Sequence, residues 1–260
     1  MSSPTNPPLW DRENGKIEGL VLSVMDYKDH DGIIKLATDQ EVVSVYARGI
    51  QKATSKNRRL FAPYSRVLLN YDPKYSSSML YLINGSVIAS YYQCAGSLEM
   101  QCVSDLLVTL IKRHGITPNI FCALEACWKA FQDHDENRSR MFACWIVAEI
   151  LRNTGTIMNV DECSVCGRTD RIASIGEEEG GFLCLEHVGN HPFWKKDQLR
   201  ALRRIVKVPF SKLDRIADMD WSMDLLIFLF DWYVYFNDIQ LKSLDFLKML
   251  CGTKPQSPGN

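Results

Sequence analysis

Four potential metal ligands at short spacing constrain the fold of this chain more than any other feature of the sequence. Cys163 and Cys166 are separated by two residues, and Cys184 and His187 repeat that spacing after seventeen further residues. Two ligands at this spacing reach one tetrahedral ion from a tight turn, and Gly167 supplies the flexible backbone that such a turn favours. The intervening segment has the length of a hairpin. We therefore predict that two turns, joined by a hairpin, close around one metal ion.

The donor set indicates one structural zinc ion as the cofactor. Three thiolates and one imidazole suit zinc better than harder cations such as magnesium. Protein would fill all four coordination positions, which leaves none for an activated water and argues against a metalloenzyme. Two alternatives stay open. His191 could replace His187 as the fourth ligand, or the two ligand pairs could be a chance repetition of the spacing or contain a redox dithiol.

The other cysteines do not suggest a disulfide framework, because the total of nine is odd and their positions are scattered. They stand singly in apolar, helix-like stretches, where cysteine behaves as a small hydrophobic residue. We expect core packing for Cys94, Cys102, Cys122, Cys127, Cys144 and Cys251. A reducing compartment is indicated, in which a tight cysteine cluster binds metal or does redox chemistry.

The sequence contains no pattern typical of an export signal or a membrane span. Residues 1–8 are polar and proline-rich, and the longest apolar run, residues 225–236, is about half of the roughly 20 residues that a span needs. We therefore expect a soluble, cytoplasmic protein with no membrane partner.

Residues 17 to 89 show five short runs typical of β-strands. The runs lie at 17–25, 33–37, 42–47, 67–71 and 79–89, and His30-Asp31-Gly32 is a hairpin signal between the first two. Five short strands with a longer link after the third favour a small closed barrel, because closure removes exposed strand edges. We predict an oligonucleotide-binding (OB) barrel, with an SH3-like barrel as the alternative.

The rest of the chain has the apolar spacing of helices. Predicted helices cover residues 98–113, a segment that opens at Thr117-Pro118, and residues 138–152, 195–206 and 222–250, the last with a break near Asn237. The predicted fold class is therefore α+β, with a five-stranded OB-fold barrel followed by an all-helical domain that carries an inserted zinc-binding hairpin.

These elements predict six consecutive segments. They are a disordered leader (1–12), the OB barrel (13–92), a first helical part (93–160), the zinc-binding insertion (161–190), a second helical part (191–251) and a disordered tail (252–260).

Basic residues are clustered, although the formal net charge is only −1. Residues 46–66 hold six basic side chains and no acidic one, and residues 195–215 hold eight basic side chains against Asp197 and Asp214. Segregation of this kind predicts a polyanionic partner.

The first cluster follows the third predicted strand. Its candidate DNA contacts are Arg48, Lys52, Lys56, Arg58 and Arg59. OB barrels bind single strands through a positive groove and aromatic faces on which bases stack, and Tyr46, Phe61, Tyr64 and Tyr71 are near enough in sequence to supply such faces. The alternative is a solvated basic loop with its aromatic rings in the core, which is the commoner place for each ring taken singly.

The second cluster forms one face of a predicted helix. Its members recur at three- and four-residue spacing, and the candidate DNA contacts among them are Lys196, Arg200, Arg203 and Arg204, followed by Lys207. Such a face could solubilise the helix, contact a phosphate backbone or receive an acidic peptide tail.

No pattern indicates catalysis or a small-molecule substrate. The sequence has no glycine-rich phosphate loop and no recognisable nucleophile arrangement. The acidic run Glu177-Glu178-Glu179 suits an exposed hairpin tip inside the metal segment. We predict a protein that is not an enzyme.

Four sequence blocks, taken in order, resemble one bacterial family. They are Ala47-Arg48-Gly49-Ile50-Gln51-Lys52, Leu60-Phe61-Ala62-Pro63-Tyr64, the Cys-x-x-Cys-Gly insertion and Leu241-Lys242-Ser243-Leu244. On these blocks the chain resembles the recombination and repair protein RecO over nearly its whole length, apart from the two ends. His187 stands where family members with the metal site commonly show a fourth cysteine.

The resemblance implies an OB domain, a helical domain and a zinc-binding insertion. It further implies binding of single- and double-stranded DNA, annealing of complementary strands, and help in loading the RecA recombinase onto strands coated by single-stranded-DNA-binding protein. RecR and the acidic, hydrophobic C-terminal tail of single-stranded-DNA-binding protein are the implied partners, and the implied location is the cytoplasm, at the nucleoid. The alternative interpretation is a zinc-containing OB-fold module that binds RNA.

Overall fold

The computed structural model describes residues 10–75 and 79–252, which fall into two compact units. The first unit takes the chain up to residue 98 together with residues 111–132, and the second takes residues 99–110 together with the chain from 133 onward. Residues 1–9 and 253–260, which belong to the predicted leader and tail, lie outside the described residues.

The first unit is built on a closed barrel. Its strands are β1 (Trp10–Asp11), β2 (Lys16–Tyr27), β3 (Asp31–Ala37), β4 (Val42–Ala47), β5 (Ser65–Tyr71) and β6 (Leu80–Ser90). The order is β2-β3-β4-β6-β5, and β5 pairs back with β2 to close the ring. Only the β4–β6 pairing is parallel among the described strands. This order identifies the OB fold, which confirms the first of the two predicted barrels.

Strand β1 lies inside the segment that the sequence predicted to be disordered. Trp10 and Asp11 pair with Ile17 and Lys16 of β2, and the Trp10 indole N–H donates a hydrogen bond of 2.8 Å to the Tyr71 hydroxyl. Backbone pairing and a partly buried indole hold this part of the leader, so a fully disordered segment 1–12 is wrong at residues 10 and 11.

A short helix and a long one accompany the barrel in the first unit. Helix α1 (Gln93–Gly96) packs against α3 (Pro118–Gln132). Arg66 on β5 pairs with Glu18 on β2 at 2.5 Å and with Glu125 on α3 at 2.8 Å. The Tyr64 ring meets the Trp128 ring edge-on at a centroid distance of 5.4 Å. These contacts attach α3 to the barrel wall.

The second unit is helical apart from one hairpin. Its elements are α2 (Leu98–His114, whose last turn belongs to the first unit), α4 (Glu136–Asn153), β7 (Ile172–Gly176), β8 (Gly181–Cys184), α5 (Lys196–Lys207), a 3₁₀ helix (Phe210–Ile216), α6 (Met223–Asn237) and α7 (Lys242–Leu250). Helix α4 packs against both α5 and α6 and is buried around most of its circumference. Asp238, at φ +47°, ends α6, which confirms the predicted break near Asn237.

Four of the six scattered cysteines lie in the core, and two do not. Cys94, Cys102, Cys127 and Cys144 are buried, whereas Cys122 is exposed and Cys251 is partly exposed. Cys122 is exposed because it lies on the outer face of α3. The place of a residue in a helix decides which face its side chain belongs to, whatever its hydrophobicity. Burial raises the pKa of the Cys94 thiol to about 12. No helix of the described ranges is long and apolar enough to cross a membrane.

Candidate metal centre and nucleic-acid interface

Two tight turns carry the metal-ligand residues, as the sequence predicted. In the first, the Gly167 N–H donates to the Cys163 carbonyl at 2.8 Å, and Gly167 takes a φ of +71°. In the second, the His187 N–H donates to the Cys184 carbonyl at 2.9 Å. The hairpin of β7 and β8 joins the turns and ends at Cys184. The local hydrogen bonds therefore aim both ligand pairs at one point.

The four ligand atoms lie close enough to share one ion. All lie within 4.8 Å of one another. The Sγ atoms of Cys166 and Cys184 are 3.8 Å apart, and His187 Nδ1 is 3.3 Å from Cys184 Sγ and 3.8 Å from Cys163 Sγ. A tetrahedral ion with bonds of about 2.3 Å to sulfur would set two sulfurs about 3.8 Å apart. The cluster could therefore hold a metal ion.

The histidine that lies in this cluster is His187 and not His191. His191 Nε2 lies 3.3 Å from the Glu179 carboxylate, at the far end of the hairpin from the thiols. A redox dithiol would need only Cys163 and Cys166, but Cys184 and His187 lie in the same cluster. This grouping favours a metal site over a redox dithiol. Three thiols and one imidazole remain the donor set.

The surroundings of the cluster favour a thiolate. Cys163 is 1% exposed, and this burial raises the pKa of its thiol. Backbone N–H groups of Cys184, Cys166 and Val165 outweigh that effect and lower the pKa to about 6. The thiolate is the form that binds metals. Leu183 and the partly buried Ile172 pack beside Cys163 and Cys184 in a small cluster, and Ile175 and Phe182 of the same hairpin are also buried.

The basic loop, residues 48–59, presents its cations to solvent. The side chains of all five predicted contacts are exposed: Arg48, Lys52, Lys56, Arg58 and Arg59. None of them forms an ion pair within the part of the chain that the structure describes. Ile50 and Leu60, which are 1% and 0% exposed, anchor the loop in the barrel core. The loop is therefore an anchored positive surface whose cations form no ion pairs among the described residues.

Three of the four predicted stacking rings are used inside the first unit. Tyr71 is only 3% exposed, and Tyr64 packs on Trp128. Phe61 packs against the barrel core and covers Gly32, where a Cβ would collide with its ring. These three rings therefore have a packing role, as the alternative to base stacking predicted. Tyr46 is the remaining candidate for stacking on a base.

Tyr46 belongs to a three-ring group, the tyrosine cluster, with Tyr27 and Tyr81. The centroid distances are 5.9 Å from Tyr27 to Tyr46 and 5.3 Å from Tyr46 to Tyr81, both edge-on. Tyr27 is 42% and Tyr81 44% exposed. Sequence reasoning missed these two rings, because Tyr81 reaches Tyr46 only through the parallel register of β4 and β6.

Asp31 ties the tyrosine cluster to the basic loop. Its carboxylate accepts hydrogen bonds from the Tyr46 hydroxyl and, at 2.7 Å, from the Gly49 N–H. The Tyr46 hydrogen bond, followed by that of Gly49, holds the pKa of Asp31 below its usual value, and the same contact raises the pKa of Tyr46. Rings and cations therefore share one edge of the barrel.

The second basic cluster lies on the outer face of α5. Lys196, Arg200, Arg203, Arg204 and Lys207 are all exposed. Ion pairs engage three of them: Arg200 with Asp197 at 3.1 Å, and Arg203 and Lys207 with Asp161. The sequence had no means to pair Asp161 with a helix more than thirty residues away.

A groove beside α5 gathers further cations. It has a volume of about 550 Å³, and Arg200, Arg204, Lys207, Lys212 and Arg215 line it together with Val208, Ile216 and Met219. Lys212 and Arg215 come from the 3₁₀ helix, which the sequence analysis did not single out. We call this feature the basic groove. Its lining combines positive charge with apolar surface.

The fold and the cluster define an OB-barrel protein with a helical second part that carries a cluster of three cysteines and one histidine able to hold a metal ion. The family description for the N-terminal part of recombination protein O matches residues 13–91, and that for its C-terminal part matches residues 99–242. The chain belongs to the recombination protein O (RecO) family, which confirms the resemblance. Membership supports a role in DNA repair and recombination, with DNA and components of that pathway as partners.

Relatives named DNA repair protein RecO are similar over much of their length. That of Anaeromyxobacter dehalogenans is 26% identical over 184 residues, which cover 66% of this chain and 70% of the relative. That of Mesoplasma florum is 21% identical over 236 residues (88% and 87%). That of Listeria monocytogenes is 23% identical over 254 residues (90% and 93%).

Proposed function

We propose that this protein is a non-enzymatic recombination mediator that binds single- and double-stranded DNA, anneals complementary strands and assists the loading of RecA in recombinational repair. The observation that carries the proposal is the basic loop, with five exposed cations that form no ion pair among the described residues. Cations offset the repulsion between two phosphate backbones and so let complementary bases pair. The setting of such work is the nucleoid in the cytoplasm.

The tyrosine cluster supports binding of single strands. Unpaired bases stack on exposed aromatic faces, whereas the bases of a duplex are already stacked on one another. Tyr27 and Tyr81 expose their rings beside the basic loop, so one strand can place its phosphates on the loop and its bases on the rings.

The basic groove supports binding of the acidic, hydrophobic C-terminal tail of single-stranded-DNA-binding protein. Carboxylates of such a tail can pair with Arg204, Lys212 and Arg215, while Val208 and Met219 offer apolar contacts. This contact would bring the protein to coated strands. RecR is proposed as a second partner on the strength of family membership alone.

We propose that the metal is one structural zinc ion held by Cys163, Cys166, Cys184 and His187. Thiolate and imidazole ligands select zinc, and four protein ligands leave no position for substrate. Elemental analysis of the purified protein should find about one zinc per chain. A content below about half an ion per chain would contradict the assignment.

Annealing of complementary oligonucleotides tests the central proposal. The variant with Lys52, Lys56, Arg58 and Arg59 changed to Gln should anneal bare strands more slowly than the wild type. Its log–log salt slope for single-stranded DNA should become shallower by about 0.7 for each phosphate that the variant no longer neutralises. Lys129→Gln, an exposed cation on α3 outside both clusters, is the matched control. An unchanged slope in the fourfold variant would reject the loop as a DNA contact.

Annealing of strands coated by single-stranded-DNA-binding protein tests the basic groove. Arg204→Glu together with Arg215→Glu should lower the rate on coated strands far more than on bare strands. Arg171→Glu, an exposed cation on the metal hairpin, controls for a general change of charge. Equal reductions on coated and bare strands would show that the groove contacts DNA and not the tail.

A further inference from the structure

A second cavity in the helical unit has a chemistry opposite to that of the basic groove. It has a volume of about 350 Å³ and lies between α6, α7 and the segment that precedes α5. Phe193, Trp194 and Phe228 supply aromatic walls, and Glu177, Asp224 and Asp231 supply carboxylates. The proposed contacts with DNA and with an acidic tail leave this cavity without a role.

The aromatic walls are held in place by hydrogen bonds to the metal hairpin. The Trp194 N–H donates to the Ala173 carbonyl at 2.9 Å, and the Ser174 hydroxyl donates to the Pro192 carbonyl at 2.6 Å. The Trp194 ring meets the Phe228 ring edge-on, with centroids 4.6 Å apart. Phe193, between these fixed neighbours, is 69% exposed. A largely pre-formed aromatic site of this size is typical of a binding cavity.

The charges in the cavity do not cancel. Lys248 is its only cation in the described chain, and Lys248 Nζ pairs with Asp231 at 2.5 Å. Burial raises the pKa of Asp231, and the Lys248 contact opposes that rise. Glu177 and Asp224 form no ion pair within the described ranges, and Asp224 is exposed. Two negative charges therefore face an aromatic cavity.

We propose that this cavity binds an arginine side chain from a basic, partly apolar segment of a protein partner. A guanidinium stacks on aromatic faces and pairs with carboxylates through a planar fork of N–H donors, so both parts of the lining find a match. Nucleic acid and acidic peptides are disfavoured, because Glu177 and Asp224 repel phosphates and carboxylates. The second unit thus has two docking sites of opposite charge preference, the basic groove for acidic partners and this cavity for a basic one.

Peptide binding tests the proposal directly. The probe is a short fluorescein-labelled peptide of arginine and leucine residues, and its matched control has glutamate in place of arginine. Fluorescence anisotropy at one fixed salt concentration should show binding of the arginine peptide to the full-length, metal-loaded protein and none of the glutamate peptide. Equal binding of the two peptides, or no binding of either, would overturn the proposal.

Variants locate the bound peptide in the cavity. Phe193→Ala combined with Asp224→Asn should weaken arginine-peptide binding by about tenfold or more. Both side chains are exposed, so the fold should tolerate the changes. Phe246→Ala and Glu178→Gln, which remove an exposed ring and an exposed carboxylate outside the cavity, should leave peptide affinity unchanged. Equal weakening by the cavity variants and the controls would overturn the assignment.

Single-stranded DNA binding, measured on the same variants, separates this inference from the proposed function. Retained DNA affinity with abolished peptide affinity supports two independent sites. Parallel weakening of DNA and peptide binding in the cavity variants would mean that the cavity serves the DNA-binding function, and it would overturn the inference of a separate protein partner.

Discussion

Arg66 differs from the other cations of its sequence cluster because it is already paired. Its guanidinium contacts Glu18 and Glu125, and its side chain is 27% exposed, whereas Arg48 and Arg59 are exposed and form no ion pair in the described chain. Glu125 comes from α3, 59 residues along the chain. A charge count over residues 46–66 cannot distinguish these cases, because the distinction depends on a contact that only the folded chain makes.

Arg66→Met should destabilise the protein by about 2 kcal/mol. Removal of the cation leaves two partly buried carboxylates facing each other, and the partial exposure keeps the cost below the range for fully buried pairs. Arg12→Met is the matched control, because its pair with Glu41 is largely exposed, and it should cost about 1 kcal/mol or less. Urea unfolding of both variants measures the difference, and equal midpoints would contradict the structural role of Arg66.

Asp31 should make the stability of the folded protein depend on pH, and its lowered pKa fixes the direction of that dependence. The Tyr46 hydrogen bond is the main reason that its folded pKa lies below the ordinary 3.8. A depressed carboxyl pKa stabilises the folded state above the unfolded pKa, and that stability is lost as the pH falls through the folded pKa. Asp31→Asn should therefore lower stability at neutral pH, and the difference from the wild type should shrink in acid.

Urea midpoints of the wild type and Asp31→Asn, at neutral pH and below the ordinary pKa, measure this effect. Asp29→Asn removes a carboxylate from the same turn that has no bond to Tyr46, and so controls for net charge. A difference between the wild type and Asp31→Asn that grows in acid would show that the hydrogen bonds do not act as described.

Among the elements, the metal hairpin was the most predictable from sequence. Short-range spacing dictates its turns, and the structure brings together the four residues that the spacing selected. The spacing left His187 and His191 both open, since each follows Cys184 closely. The choice depends on the turn after Cys184, where the His187 N–H bonds back to the Cys184 carbonyl. Such a bond is visible only in three dimensions.

Cys163→Ser should remove the metal and destabilise the protein by about 2 kcal/mol or more. The apolar cluster beside the ligands is small, so the ion should supply much of the free energy that holds the two turns together. Cys122→Ser, at an exposed position on α3, should leave both metal content and melting temperature unchanged. Zinc content and thermal unfolding by circular dichroism are the measurements. An unaltered melting temperature in Cys163→Ser would mean that the ion has little structural effect.

The tyrosine cluster and the aromatic cavity show the limit of sequence reasoning about elements. The strand runs were predicted within a few residues, but the register of β4 against β6 was not, and Tyr81 meets Tyr46 only through that register. The cavity likewise joins Glu177 on the hairpin to Asp224 on α6. Periodicity identifies an element and its buried face, and it says nothing about which residue of another element lies opposite.

At the scale of the whole molecule, a bound metal ion should stabilise the second unit and leave the stability of the first unit unchanged. The cluster and its hairpin lie in the second unit, and the barrel core contains none of their residues. Removal of the ion with a chelator should abolish the hydrogen-exchange protection of the Gly167, Leu185 and His187 amides. The amides of β2 to β6 should keep their protection, because their hydrogen bonds close within the barrel.

Hydrogen exchange followed by mass spectrometry, with zinc added back as a control, measures both regions in one sample. Loss of protection in the barrel on chelation would contradict this division. Unchanged protection of the hairpin amides would show that the hairpin folds without the ion.

The arrangement of the first unit has a consequence for synthesis on the ribosome. Arg66 and Tyr64 find Glu125 and Trp128 only after roughly sixty more residues have been made, which takes roughly 3–12 s at ordinary rates of translation. The twelve residues 99–110, which belong to the second unit, emerge in that interval. A nascent chain interrupted there would carry a barrel whose Tyr64 still lacks the Trp128 ring and whose Arg66 still lacks the Glu125 carboxylate. The first unit is therefore complete only after part of the second unit has already been synthesised.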